Sequence, residues 1–134
     1  MTSSPNPPHC GSVSTPAHAP VVALVTDFGP GSMYVGVMHG VIATRAPEVR
    51  AIDLAHDIRP QNLAEAALCL EAAAEHFPRE TVFCCVVDPG VGSARRALAA
   101  WDGRRYFVAP DNGVLTFVEQ AARERATARQ EDGG

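Results

Sequence analysis

The stretch TVFCCVVDPGVGSARR, residues 81–96, begins with seven uncharged residues and ends on an aspartate, a proline, two glycines and two arginines. An apolar run without period-two alternation describes a strand buried on both faces, as in a parallel sheet covered by helices. The Asp-Pro-Gly after it stops the strand, because proline has no N–H for the ladder and glycine accepts positive φ. A carboxylate, Asp88, thus lies at the strand end. Arg95 follows seven residues later, across a segment able to fold back on itself.

The same plan recurs on either side. VVALVT (21–26) is a second unbroken apolar run and ends at Asp27. Beyond it, Tyr34, Val37, Met38, Val41 and Ile42 recur at helical spacing, with Ser32 as N-cap and Pro47 as the stop. Gly36 and Gly40, four apart, are expected to let this helix pack closely on the sheet. A strand around Arg50–Leu54 and the loop AHDIRP lead to a helix near Asn62, where Asn62 and Glu65 resemble a capping box. Leu63, Ala66, Ala67, Leu70, Ala74 and Phe77 line one face of that helix. ALAAW and RYFVA flank Asp102-Gly103-Arg104 as a hairpin, and PDNG turns the chain into a last helical stretch. Strand and helix alternate, so the fold class is α/β: a mainly parallel sheet with helices on both faces.

One domain is expected from 134 residues. Residues 1–20 hold five of the 11 prolines and no Asp, Glu or Arg, and read as a disordered Pro/Ser-rich leader. The partial domain spans 21–125, and 126–134 read as a frayed tail. The leader lacks the basic and apolar regions of a secretory signal, and no apolar run is long enough to cross a bilayer, so no membrane partner and a cytoplasmic location are expected. Cys10, Cys69, Cys84 and Cys85 have no metal-site spacing and read as free thiols.

Net charge is −4, and all 11 basic residues are arginine. Without lysine there is no Walker-type phosphate loop, Schiff base or lysine general base. The acidic balance and the lack of a basic stripe also argue against nucleic acid. Asp27, Asp57, Asp88 and Asp111 each fall just past a strand, at the edge where open parallel sheets bind ligands. Asp57 and Asp111 fit ordinary turn residues. An acidic rim suits a ribose diol or a cationic group better than a polyphosphate. The histidines show no metal-ligand spacing. His56, beside Asp57 on the presumed rim, is the exception among otherwise structural or solvent-facing rings.

TDFG (26–29), YVGVMHGVI (34–42), DLAHDI (53–58), VFCCVVDPGVGSARR (82–96) and FVAPDNGVL (107–115) together resemble the S-adenosyl-L-methionine (SAM) hydroxide adenosyltransferases, relatives of the fluorinase and chlorinase. The resemblance covers about residues 21–120. It implies hydrolysis of SAM, in which water or hydroxide attacks C5′ of the ribose and displaces methionine, leaving adenosine. It assigns Asp27 to substrate binding through the ribose hydroxyls, and Asp88 and Arg95 to holding and activating the nucleophile, with Asp88 also facing substrate. It implies no metal and no cofactor beyond SAM as substrate. Asp88 with Arg95 favours hydroxide over halide, the minor alternative.

Two departures accompany it. Gln61 stands where relatives usually carry an aromatic residue, and these 134 residues match only an N-terminal domain, lacking the family's C-terminal β-barrel and downstream histidine. Intact members are homotrimers. For this chain alone the expectation is weak or no turnover and a loose, aggregation-prone monomer. Two further readings are a non-catalytic adenosine- or SAM-binding remnant, and a phosphatase or other hydrolase using the rim aspartates around magnesium.

Overall fold

A computed structural model describes residues 18–133; most of the expected leader, and Cys10, lie outside the described residues. The elements are β1 (Val21–Thr26), α1 (Met33–Arg45), β2 (Arg50–Ala55), α2 (Leu63–Ala74), β3 (Val82–Val86), β4 (Ala97–Trp101), β5 (Tyr106–Pro110) and α3 (Thr116–Asp132). The first two helices start on a side-chain cap. Ser32 Oγ accepts the Tyr34 N–H at the head of α1, and Asn62 Oδ1 accepts the Glu65 N–H at the head of α2. Only this half of the capping box forms, because the Glu65 carboxylate turns to Arg59, 2.6 Å away.

The five strands form one sheet in the order β2-β1-β3-β5-β4. All neighbours are parallel except the β4–β5 hairpin, in which Trp101 pairs with Tyr106. From β1 the chain leaves towards β2, and from β3 it leaves towards β5 and β4. These adjacent strands therefore part company, and their carboxyl ends flank the crevice of a topological switch point.

On one face, under α2 and α3, Ala23, Val25, Phe83, Cys85, Val87, Phe107 and Ala109 meet Ala66, Leu70, Ala74 and Val118 in a single buried cluster. Phe83 stacks on Phe107 at 5.2 Å and meets Phe77 edge-on, and Phe117 stands edge-on to Phe107. The other face carries only α1. No α1 residue is buried, and an apolar hollow of about 370 Å³ lies between Val37, Met38, Val41 and Ile42 of the helix and Val22, Leu24, Val82, Cys84 and Val108 of the sheet. Gly36 and Gly40 face open space, so the close packing expected of them does not occur. β3 is sealed on the α2 face alone, with Val82, Cys84 and Val86 half-buried on the other.

The segment 126–134 was expected to fray, yet α3 continues to Asp132. Its residues are strong helix formers (Ala, Arg, Gln, Glu), and Arg125 pins the helix to the hairpin through Asp102, 3.1 Å away. Asp102 is buried and also accepts the N–H groups of Arg104 and Arg105. Burial opposes its charge, but the N–H groups of Arg105 and Arg104 and the Arg125 guanidinium outweigh it and hold the carboxyl below the usual carboxylate range. Cys69, Cys84 and Cys85 are free, and burial pushes the Cys85 thiol up to about 12, far from reactive. No helix of the described residues is long and apolar enough to cross a membrane.

Candidate active site

Asp88 leaves the end of β3 through Val87, which is wholly buried, so the position from which the carboxylate departs is set by the core. Its Oδ1 accepts the Gly90 N–H at 2.8 Å and lies 3.7 Å from Arg95 Nη1. That separation is an ion pair without a direct hydrogen bond. Asp88 is 13% exposed and Arg95 36%, so the pair is sheltered on the acid side and open on the base side.

Gly90 serves both partners. Besides its N–H to Asp88, it is the floor under the guanidinium: a Cβ there would stand 2.5 Å from Arg95 Nε and Nη2. Only glycine lets arginine lie so close to the turn. Gly92, with φ at +86°, completes the fold-back. Asn112 Nδ2 donates to the Val87 carbonyl at 2.9 Å, tying the β5 end to the residue before Asp88. Asp88, Ser93, Arg95 and Arg96 line a hollow of about 270 Å³ over Cys84 and Val108.

Asp27 stands at the end of β1, in register beside β3, since Thr26 pairs with Val86. It does not line that hollow. Its Oδ2 accepts the backbone N–H of Gln61 at 2.8 Å, and Gln61 has φ at +61°, a left-handed conformation uncommon for a non-glycine residue. The departure at Gln61 therefore leaves this contact intact, because the main chain makes it.

The sequence places four carboxylates on one rim. The structure supplies their partners. Asp88 has Arg95 and the Gly90 N–H, Asp111 has Arg96 at 3.6 Å, and Asp27 has the Gln61 N–H. Asp57 remains exposed, and among the described residues no three or more His, Cys, Asp or Glu are placed to hold a metal ion.

A cluster that sequence reading passed over sits beside Asp27. Thr26 Oγ1 lies 2.8 Å from His56 Nδ1, His56 Nε2 lies 2.9 Å from Asp53 Oδ1, and His39 Nε2 lies 2.7 Å from the same oxygen. The imidazoles of His56 and His39 hold the Asp53 carboxyl below the usual carboxylate range. Thr26 was hidden inside an apolar run, and Asn112 inside an ordinary turn. The position of His56 on the rim loop was the one available signal.

Comparison with known proteins gives this geometry a context. The chain is 48% identical over 97 residues to an (R)-S-adenosyl-L-methionine hydrolase of Thermus thermophilus, covering 72% of this chain and 38% of that protein. A fluorinase of Actinopolyspora mzabensis is 26% identical over 124 residues, covering 75% of this chain and 42% of its own. The crystal structure of an uncharacterized conserved protein from Thermotoga maritima superposes with a TM-score of 0.71 at 44% identity, covering 75% of this chain and 40% of that one. The chain thus spans about two fifths of these relatives. The family model for the SAM hydroxide adenosyltransferase N-terminal domain matches residues 22–132, and with the strand-end acids and the Asp88–Arg95 pair where the motifs placed them, this chain belongs to the SAM hydroxide adenosyltransferase family.

Proposed function

We propose that these residues form the ribose- and water-holding half of an adenosine-forming SAM hydrolase site. The supporting observation is the Asp88–Arg95 pair, 3.7 Å apart over the bare backbone of Gly90, one strand away from Asp27 at the switch point. Asp27 accepts the ribose hydroxyls, each charge-assisted bond being worth about 1.5–3 kcal/mol. Asp88 accepts a proton of the attacking water, and the Arg95 guanidinium stabilises the hydroxide character that develops, without losing a proton itself. The C5′–O bond forms as the C5′–S bond breaks, and methionine leaves with the electron pair as a neutral thioether. Because that leaving group needs no protonation, placement and desolvation of the water dominate the step.

SAM serves as substrate without metal or further cofactor. The location is cytoplasmic and the whole protein is a homotrimer. Halide in place of hydroxide is the minor variant of the same site. These residues by themselves turn SAM over weakly or not at all, and binding of adenosine or SAM without turnover is the second reading.

Calorimetry with adenosine, together with chromatography of SAM incubations, tests both readings. Adenosine should bind, and Asp27→Ala should weaken it at least about tenfold, the equivalent of one lost charge-assisted bond. Any adenosine formed from SAM should disappear in Asp88→Asn. Unchanged binding by Asp27→Ala refutes the diol assignment. Phosphate-ester hydrolysis abolished by a chelator would replace the whole reading with a magnesium-dependent one.

A further inference from the structure

We propose that His56 is a positioning residue for Asp27, acting through Thr26 and the loop that carries the carboxylate; this rests on Asp27 being the acceptor of the ribose diol. Proton bookkeeping gives the network a direction. Asp53 Oδ1 can only accept, so the proton of a neutral His56 belongs on the Nε2 that faces it at 2.9 Å. Nδ1 is left to accept from the Thr26 hydroxyl at 2.8 Å, while Thr26 Oγ1 itself accepts the Phe28 N–H at 3.3 Å. His56 Nε2 is buried and its contact with Asp53 is close but not aligned as a hydrogen bond, whereas His39 donates squarely to the same oxygen at 2.7 Å. The His56 carbonyl in turn accepts the Gly29 N–H at 2.9 Å.

The residues on both sides of Asp27 are therefore fastened to His56: Thr26 directly, Phe28 through the Thr26 hydroxyl, and Gly29 through the main chain. Gln61, on the same β2–α2 loop, fastens the carboxylate itself. One loop thus sets both the backbone path around Asp27 and the direction of its unshared oxygen. Thr26 is fully buried and the His56 side chain is 12% exposed, so water is a poor substitute for either partner. A carboxylate held to a diol gains its selectivity from placement, and small displacements are expensive.

The test measures preference for the diol, not binding alone. Calorimetry on the 134-residue chain would compare adenosine with 2′,3′-dideoxyadenosine. The wild-type chain should prefer adenosine by about tenfold or more. In His56→Ala the preference should fall below about threefold while dideoxyadenosine affinity stays within about twofold, and Thr26→Val should behave likewise. His56→Asn, whose side-chain oxygen can accept from Thr26 where Nδ1 does, and Thr26→Ser, which keeps the hydroxyl, should recover it. Thermal melts identify any variant that fails to fold, and the two conservative variants then carry the comparison. The proposal is overturned if His56→Ala and Thr26→Val keep the preference, or if both ligands weaken in parallel as general loosening would produce. No preference in the wild-type chain would refute the Asp27 assignment first and this proposal with it.

Discussion

Under α2 and α3 the sheet presents Phe83 and Phe107, flanked by Phe77 just after α2 and Phe117 of α3 in a continuous row of rings, with small residues (Ala66, Ala74) where the helix must approach; under α1 it presents Val22, Leu24 and Cys84 to a helix with no buried residue and two glycines facing open space. The same strands supply both faces, so the difference lies in the helices. Large-to-small complementarity closes the first interface, whereas no side chain of α1 is buried against the second. Trp101 and Tyr106, 4.4 Å apart and 43% and 46% exposed, extend the open face along the hairpin. The dense face holds the strand ends: Val25 and Val87, wholly buried there, immediately precede Thr26-Asp27 and Asp88. The loose face is where the β1–α1 loop emerges and where His39 reaches Asp53.

The largest effect should come from Phe83→Ala, which removes the ring touching both Phe77 and Phe107 and should cost about 3–5 kcal/mol in urea unfolding. A loss under about 1 kcal/mol would mean that the dense face is less close-packed than its geometry indicates.

Next comes Asp102→Ala. It strands the N–H groups of Arg104 and Arg105 and removes the ion pair to Arg125, which keeps only its bond to the residue's own carbonyl, at an expected cost of about 2 kcal/mol. The Asp102 carboxyl is depressed in the folded state, so the stability it contributes is complete above its unfolded value near 3.8 and is lost as pH falls through the folded one. Acid unfolding followed by circular dichroism should therefore begin at higher pH in the wild type than loss of the sheet core alone requires, and Asp102→Ala should flatten the fall in stability below about pH 4.

On the loose face, Ile42→Ala should cost only about 1 kcal/mol, since the side chain is half-buried beside a hollow. A cost equal to that of a sealed core isoleucine, about 2–5 kcal/mol, would show this face closed in solution and erase the contrast. The smallest effect has the opposite sign. Gly40→Ala, in mid-helix with nothing near the added methyl, should stabilise by about 0.5–1 kcal/mol, and destabilisation would mean that something already occupies the space.

Much of the fold was legible because it is local. Unbroken apolar runs marked β1 and β3, the Asn62 cap and the i, i+3, i+4 pattern marked α2, and the short glycine link marked the β4–β5 hairpin. The limits of that reading are equally specific. TVFCCVV reads as buried on both faces, but hydrophobicity does not say whether a helix arrives to cover the second, and α1 covers it incompletely. Gly36 and Gly40 carry the spacing of a close-packed helix without its neighbour. At the site, Asp88 and Arg95 were readable together, seven residues apart across a segment able to fold back, whereas nothing local joined Arg96 to Asp111.

Apolar runs, breakers and caps are short-range signals, and they alone specified a parallel α/β sheet with acids at its strand ends. Which of those ends stand side by side depends on the strand order β2-β1-β3-β5, a product of long-range packing. It is this order that brings His56 to Thr26 across 30 residues and Asn112 to Val87 across 25, contacts between groups with nothing in their local sequence to join them.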